Sequence, residues 1–188
     1  MEQKRCFWVP LDDPLYVAYH DEEWGVPVHD DHGLFEMLIL EGMQAGLSWI
    51  TILRKREGYR KAFDDFDIDK IVEYNEEKIE QLMQNTGIIR NRLKIKAVVQ
   101  NAKAFRKIQN EFGSFDRFIW NYVDNKPIRI IRTGENDVPA RIELSDRISA
   151  DLKKRGFKFI GSTIICAYMH AVGLINGHTD ECYCFSSW

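Results

Sequence analysis

The hydrophobic positions along this chain recur mainly at the spacing of α-helices. Residues 34–43 are apolar on nearly every side, a pattern typical of a helix buried in a protein core. Residues 76–84 and 91–109 each place apolar side chains on one face and polar side chains on the others. The same reasoning predicts further helices at residues 48–63, 115–123, 145–155 and 162–172.

One segment departs from this pattern. Residues 124–144 contain Pro127 and Pro139 together with an alternating run of apolar and basic side chains at residues 128–132. Because proline and glycine interrupt helices, we predict a loop or an insertion here, with a short strand at most. No repeat or linker divides the sequence, so we expect one all-α domain over residues 1–188.

Composition excludes several classes of protein. A hydrophobic fraction of 45% in 188 residues allows a sizeable core, which rules out a disordered or collagen-like chain. Four cysteines do not make a disulfide framework in a domain of this size. Residues 159–175 carry no charge but include Ser162, Thr163 and His170, which favours a core helix over a membrane span. We expect a cytoplasmic protein with reduced thiols, no signal peptide and no membrane contact.

Charged residues are distributed unevenly, although the net charge is only −3. Residues 11–41 carry nine Asp or Glu and neither Lys nor Arg, whereas residues 88–110 carry seven Lys or Arg and no acid. Residues 152–179 add four basic residues, again without an acid. Such a chain can bind a polyanion on one side, and a solvated basic helix face explains the same pattern equally well.

The last two predicted helices would form a hairpin whose turn begins at Gly156 and ends at Gly161. Glycine allows a sharp turn and lets a ligand approach the backbone closely. The N–H groups that open the second helix, near Ser162 and Thr163, could bind a phosphate oxygen, and Lys158 adds positive charge. An ordinary helical hairpin with a basic loop is the alternative.

Cysteine and histidine residues near both ends of the sequence could bind a metal ion. Two thiolates and two imidazoles suit tetrahedral Zn²⁺, and His178 and Cys182 are spaced to lie on neighbouring helical turns. Cys184 could replace Cys182 as a metal ligand, and His170 or Cys166 could compete for the same metal ion. Buried cysteines and surface histidines are the commoner explanation of such spacing. The candidate ligands are Cys6, His20, His178 and Cys182.

Glu41 lies on the apolar stripe of the predicted buried helix, four residues after Met37. A buried carboxylate needs a partner, because burial of a lone charge is costly. Glu41 could be a general base, a hydrogen-bond acceptor for a ligand, or one half of an ion pair with an arginine. The two glycines and Trp49 that follow it favour the wall of a pocket.

Aromatic residues are concentrated near the start of the sequence. Trp8, Tyr16, Tyr19 and Trp24 could sandwich a planar and cationic ligand, whereas Trp49 lies elsewhere in the sequence. In most proteins such a cluster is simply part of the core, so it indicates a ligand site only in combination with other features.

Long blocks of this sequence resemble the 3-methyladenine DNA glycosylase I family, and the likeness covers almost the whole chain. The blocks are residues 13–16, 19–25, 40–42, 45–51, 87–90 and 154–161. The resemblance implies the all-α helix-hairpin-helix fold of DNA glycosylases, with a zinc site that joins the N- and C-terminal segments. It also implies hydrolysis of the N-glycosidic bond of a flipped 3-methyladenine in alkylated double-stranded DNA, which releases the base and leaves an abasic site.

The resemblance also implies roles for individual residues. One structural zinc ion would be bound by Cys6, His20, His178 and Cys182. The flipped base would be held by Glu41, Tyr16, Tyr19 and Trp49. Leu47, beside Gly46, would probe the gap that the flipped nucleotide leaves. The DNA backbone would be held by the hairpin residues Gly156, Lys158, Gly161, Ser162 and Thr163.

Other glycosylases with this hairpin usually carry a catalytic Asp shortly after its second helix. Here residues 173–178 contain Asn176 and no acid. Methylation at N3 makes adenine cationic, so the base can leave without protonation, and we expect hydrolysis without a lyase step. Glu41 could serve as a catalytic base, but we expect it to recognise the methylated base.

Two functions other than a DNA glycosylase would use some of the same residues. A non-catalytic DNA-binding module could use the hairpin alone, but an idle core would not hold the carboxylate of Glu41. A zinc hydrolase acting on a small molecule would need an open metal position, which four protein ligands do not leave. We therefore expect a glycosylase. We also expect the protein to be a monomer.

Overall fold

The computed structural model describes residues 3–130 and 139–186, and most of these residues lie in α-helices. The helices are α1 (Pro14–Glu22), α2 (Asp31–Gln44), α3 (Trp49–Ala62), α4 (Ile68–Ile71), α5 (Glu76–Gln84), α6 (Arg92–Phe112), α7 (Phe115–Trp120), α8 (Glu143–Lys154) and α9 (Ser162–Ala171). Single turns of 3₁₀-helix lie at Asp64–Phe66, Asn121–Val123 and Tyr183–Ser186. The predicted all-α class is confirmed.

Helix α2 occupies the centre of the described fold. All ten residues from 34 to 43 are buried, and the helix packs against α3, α6, α7 and α9. The helix starts where the carboxylate of Asp30 accepts a hydrogen bond from the N–H of Gly33. A helix that is apolar on nearly every side needs neighbours all round, so the prediction of a buried helix is confirmed.

Helix α1 was not predicted from the hydrophobic pattern. Its buried side chains are Tyr19 and His20, so it has no simple apolar stripe. The helix begins at Pro14, and the carboxylate of Asp13 accepts hydrogen bonds from the N–H groups of Leu15 and Tyr16. These are ordinary signals of a helix N-terminus. The helix brings three of the predicted site residues together on one short element.

The segment predicted as a loop, residues 124–144, is only partly described, because residues 131–138 lie outside the described ranges. It contains strand β1 (Ile128–Arg129), which pairs in parallel with β2 (Ile175–Asn176). Helix α8 begins at Glu143, earlier than predicted. The hydroxyl of Ser145 caps the helix, accepting from the N–H of Ile142 and donating to its carbonyl.

Helices α8 and α9 pack against each other as a hairpin, as predicted. Gly156 has a φ of +99°, the left-handed conformation that glycine adopts without strain, and the chain turns sharply there. The N–H of Phe157 bonds back to the carbonyl of Leu152 and closes the end of α8. Among the described helices, none combines the length and the apolar character needed to cross a membrane.

Candidate functional site

A cavity of about 300 Å³ lies where α1, α2, α3 and α9 meet. Six of the described residues in its wall are aromatic, which gives it flat faces of the kind that suit a planar ligand. The aromatic side chains that line it are Trp8, Tyr16, Tyr19, Trp24, Trp49 and His170. All four predicted base-binding residues therefore line one cavity, since Glu41 also contributes to its wall.

The rings of the wall contact one another. The ring centroids of Tyr19 and Trp49 are 5.2 Å apart, and those of Tyr16 and Tyr19 are 6.4 Å apart. Trp8 and Trp24 meet edge to face at 4.7 Å. Trp49, which is distant from the other aromatic residues in the sequence, thus belongs to the same cluster in the fold.

Glu41 is buried in the wall, with 3% of its surface exposed. Its Oε2 atom makes no hydrogen bond with any described residue. Burial raises the pKa of this carboxyl to about 8, because the charged form loses its hydration. Among residues 3–130 and 139–186 no arginine forms an ion pair with Glu41, and Arg56 and Arg60 contact Glu36, at 2.6 and 2.9 Å.

The indole Nε1 of Trp49 also lacks a hydrogen-bond partner among the described residues. Buried polar atoms are nearly always paired in folded proteins, so two orphaned groups in one cavity wall call for an explanation. The indole can only donate, and the carboxylate of Glu41 can accept. The cavity therefore offers one donor and one acceptor to the polar edge of a flat ligand.

The four candidate metal ligands form one buried cluster. Their ligand atoms all lie within 4.8 Å of one another, although Cys6 and Cys182 come from opposite ends of the sequence. The sulfur of Cys182 lies 3.5 Å from Nε2 of His20 and 3.6 Å from Nδ1 of His178. Ordinary zinc–sulfur and zinc–nitrogen bonds in a tetrahedron give a sulfur–nitrogen separation of about 3.6 Å. The donor set and its spacing fit a zinc ion.

Neighbouring groups orient both imidazoles of the cluster, Asp21 that of His20 and the carbonyl of Trp24 that of His178. Nδ1 of His20 lies 2.8 Å from the carboxylate of Asp21, which leaves Nε2 directed at the cluster. Such outer carboxylates fix the orientation of metal-binding imidazoles. The hydrogen bond with Cys182 lowers the pKa of the Cys6 thiol well below its ordinary value, which favours the metal-binding thiolate.

The other candidate ligands lie in different surroundings. His170 and Cys166 line the aromatic cavity. Cys184 is close to His20 and Asp21, in a second group whose ligand atoms are also within 4.8 Å of one another. That second group shares His20 with the first.

The loop between α2 and α3 borders the cavity. Gln44 and Trp49 line the cavity from either side of this loop, and Leu47 between them is 38% exposed. Gly46 has a φ of +81°, a conformation that residues with a β-carbon rarely adopt, so the turn at this position favours glycine. The loop thus presents an apolar side chain to solvent beside the mouth of the cavity.

The helix that follows the hairpin turn also borders the cavity, since Thr163 of α9 lines it. Gly161 precedes the first residue of α9 without a side-chain cap, and Lys158 is exposed. The Ser162 hydroxyl is engaged with that of Ser145 at 2.9 Å, so it supports the hairpin from within. Arg155 is also engaged, because its guanidinium contacts Glu111 and Asp151.

Comparison with known proteins agrees with this geometry. A sequence profile described as methyladenine glycosylase matches residues 8–185. DNA-3-methyladenine glycosylase 1 of Escherichia coli (strain K12) is 48% identical over 182 residues, which is 97% of each chain.

The chain belongs to the methyladenine glycosylase family.

Solved structures extend the likeness of this methyladenine glycosylase to three dimensions. A crystal structure of 3-methyladenine DNA glycosylase I is 50% identical, covers 96% of this chain and 99% of its own, and has a TM-score of 0.93. A variant of 3-methyladenine DNA glycosylase I in complex with 3-methyladenine is 37% identical, with a TM-score of 0.92 and coverage of 95% and 96%. The predicted family and enzyme class are confirmed.

Some residues of the cavity were not among the four that the resemblance assigned to the base. Trp8, Trp24 and His170 line the cavity, and the early aromatic cluster was the signal for the first two. His170 was weighed only as a metal ligand, although its ring stacks near Trp24 at 5.8 Å. Lys94 was not predicted as a site residue, yet its ammonium donates a hydrogen bond to the carbonyl of Ala45, at the start of the Leu47 loop.

Proposed function

We propose that this chain hydrolyses the N-glycosidic bond of 3-methyladenine in alkylated double-stranded DNA. The carrying observation is the buried carboxyl of Glu41, whose Oε2 has no hydrogen-bond partner among the described residues, in the wall of an aromatic cavity. The substrate nucleotide would rotate out of the duplex into this cavity at a cost of a few kcal/mol, roughly, and the cost is least for a damaged base. The products are a free base and an abasic site.

Selectivity for the methylated base follows from its charge. Adenine methylated at N3 is a cation while it is attached to the sugar, and a nearby cation lowers the pKa of a carboxyl and favours the carboxylate. Glu41 then accepts a hydrogen bond from the exocyclic amine, and the rings of Tyr16, Tyr19 and Trp49 stack against the base. A desolvated cation–π contact contributes on the order of 1 kcal/mol or more. Unmodified adenine gains none of these charge effects.

The bond to the sugar breaks without help from an acid, because the cationic base leaves as a neutral molecule. Water then adds to the electron-poor sugar carbon and releases a proton to the solvent, and the carboxylate of Glu41 stabilises the positive charge that develops on the sugar. A lyase step would need an amine nucleophile. No lysine is among the described residues that line the cavity, which supports a monofunctional hydrolase.

The Leu47 loop and the hairpin turn would engage the duplex on either side of the cavity. Leu47 is exposed beside the cavity, where it can fill the gap that the rotated nucleotide leaves in the base stack. Gly46 lets that loop approach the duplex. On the hairpin, the N–H groups at the start of α9, which no side chain caps, would bind the DNA backbone, with Gly156, Lys158, Gly161, Ser162 and Thr163.

A structural zinc ion would be held by the buried cluster. Its ligands would be Cys6, His20, His178 and Cys182. Four protein ligands leave no position for water or substrate, so the ion would stabilise the fold and take no part in hydrolysis. It would tie the segment before α1 to the segment after β2. The position of the cavity side chains Tyr16 and Tyr19 would then depend on the metal.

Base release from methylated DNA tests the proposed activity. Double-stranded DNA treated with a methylating agent is incubated with the protein, and the free bases are identified by chromatography and mass spectrometry. We expect release of 3-methyladenine well above the spontaneous rate, with 7-methylguanine left in the DNA. Glu41→Gln should weaken binding of the base and excision together, whereas Glu57→Gln, at an exposed position, should behave like the wild type.

Two results would contradict parts of this proposal. No release by folded, metal-loaded protein would remove the glycosylase activity and leave a lesion-binding protein. Full affinity of Glu41→Gln for the free base combined with complete loss of excision would make Glu41 a catalytic residue rather than a recognition residue.

A further inference from the structure

Two buried polar side chains of α6 reach toward the two loops that the proposed function assigns to DNA. Lys94 is 7% exposed and Asn101 is 4% exposed, although both types of residue usually lie on protein surfaces. They are seven residues apart, so they lie on one face of the helix with about 10 Å between them along its axis. Neither belongs to the cavity wall.

Lys94 closes the C-terminal end of α2. Its ammonium donates hydrogen bonds to the carbonyl of Met43 at 2.8 Å and to the carbonyl of Ala45 at 2.7 Å. The last carbonyls of a helix have no partner within the helix, and a cation is favourable there. Ala45 is followed directly by Gly46 and Leu47, so these two bonds fix the point from which the Leu47 loop leaves the core.

Asn101 holds the hairpin turn in the same way. Its side-chain oxygen accepts a hydrogen bond from the N–H of Lys158 at 2.8 Å, and its amide nitrogen donates to the carbonyl of Lys158 at 3.0 Å. Gln100 beside it donates to the carbonyl of Gly156 at 2.8 Å. Phe159, which follows Lys158, has a φ of +54°, a conformation that residues other than glycine rarely adopt. The paired bonds of Asn101 stabilise this strained turn.

We propose that Lys94 and Asn101 are positioning residues for the reaction. Through the rigid helix α6 they set the distance between Leu47 and the hairpin turn, so that both loops engage one duplex with the cavity between them. Loops alone are mobile, and a small displacement of a positioning element costs activity out of proportion to its effect on stability. This inference rests on the proposed function of the two loops.

The test compares two lysines of the same helix. Lys94→Met keeps the length of the side chain and removes the buried charge, and Lys96→Met removes an exposed charge that faces Glu76 at 2.7 Å. Three quantities are measured for each: affinity for free 3-methyladenine by tryptophan fluorescence, affinity for a duplex with a stable abasic-site analogue, and the rate of base release. A purely structural role for Lys94 would lower all three together.

We expect Lys94→Met to keep its affinity for the free base. Its affinity for the duplex and its rate of base release should fall on the order of tenfold to a hundredfold, because the loop is displaced rather than the cavity. In the Leu47→Ala background, Lys94→Met should cause little further loss, since residues that act through one another are not additive. Lys96→Met should resemble the wild type throughout.

Several outcomes would overturn the inference. The inference fails if Lys94→Met loses affinity for the free base and for the duplex equally. It also fails if the losses caused by Lys94→Met and Leu47→Ala are fully additive in the double variant. If Lys94→Met does not fold, Asn101→Ala decides the question through the same measurements. If the wild type releases no base, the proposed function fails, but the affinities of the variants for the duplex still decide the positioning role. A wild type that binds no duplex contradicts the proposed function and the positioning role together.

Discussion

The backbone carbonyl of Trp24 accepts a hydrogen bond of 3.1 Å from Nε2 of His178. The indole of the same tryptophan lines the aromatic cavity, so one residue contacts both the Cys/His cluster and the cavity. The bond places the imidazole proton on Nε2 and leaves Nδ1 available to a metal ion. A change at the Cys/His cluster should therefore alter the position of the Trp24 side chain in the cavity wall.

The first prediction concerns the metal. Cys182→Ser should abolish stoichiometric zinc and lower the free energy of unfolding by at least about 2 kcal/mol, because a ligand that binds only the folded state stabilises it. Metal analysis and denaturant unfolding measure the two effects. Cys184→Ser is the matched control, since this buried cysteine lies outside the proposed ligand set, and it should keep its metal. A metal-free wild type of full stability would refute the structural zinc ion.

The second prediction concerns pH and Glu41. The pKa of Glu41 is about 8 in the folded protein and 4.5 ordinarily, so between these values the folded state holds one more proton than the unfolded state. The stability that this group contributes is complete below pH 4.5 and is lost as the pH rises toward 8. Glu41→Gln removes this dependence and should be the more stable protein at neutral pH.

Denaturant unfolding across the pH range checks this prediction. The advantage of Glu41→Gln over the wild type should grow by a few kcal/mol, roughly, between pH 5 and pH 8. Glu57→Gln, whose side chain is 70% exposed, should show no comparable trend. A stability difference that does not change with pH would contradict the burial of an uncharged carboxyl.

The third prediction concerns the exposed apolar side chain beside the cavity. Leu47→Ala should lower the rate of base release from duplex DNA on the order of tenfold, because the gap in the base stack would stay unfilled. Its melting temperature and its affinity for free 3-methyladenine should not change, since Leu47 is exposed. Leu11→Ala, at a position 67% exposed, is the control. Parallel loss of free-base affinity would place Leu47 in the cavity instead.

The fourth prediction concerns the charge on the hairpin. If Lys158 contacts a phosphate, Lys158→Ala should weaken DNA binding about equally for all sequences and reduce the salt dependence of the affinity by about one ion. Titrations at several salt concentrations measure this slope. Lys70→Ala removes an exposed lysine that lies 3.4 Å from Asp67, and it should leave the slope unchanged. An unchanged slope for Lys158→Ala would remove this lysine from the DNA interface.

Hydrophobic periodicity predicted most of the helices because their buried faces are apolar. It missed α1, whose buried side chains are Tyr19 and His20, although Asp13 followed by Pro14 is a helix-start signal that could have been used. The beginning of α8 was misplaced because its cap is formed by Ser145 bonding back to Ile142, a pattern that composition does not reveal.

The site was harder to predict from spacing than the fold. The resemblance to a known family brought Tyr19 and Trp49 into one pocket, whereas sequence distance had kept them apart. Glu41 was recognisable because a carboxylate on an apolar stripe is unusual. Lys94 gave no such signal, because its burial depends on the carbonyl of Met43, 51 residues earlier in the chain.

The buried carboxyl of Glu41 also bears on how the proposed reaction ends. The methylated base is a cation only while it is attached to the sugar, so cleavage removes the charge that favours the carboxylate. The pKa of about 8 then returns a proton to Glu41, and a neutral product faces a neutral acid. The group that selects the damaged nucleotide thus keeps a hydrogen bond to the free base but loses the charge attraction, which allows product release and a second turnover.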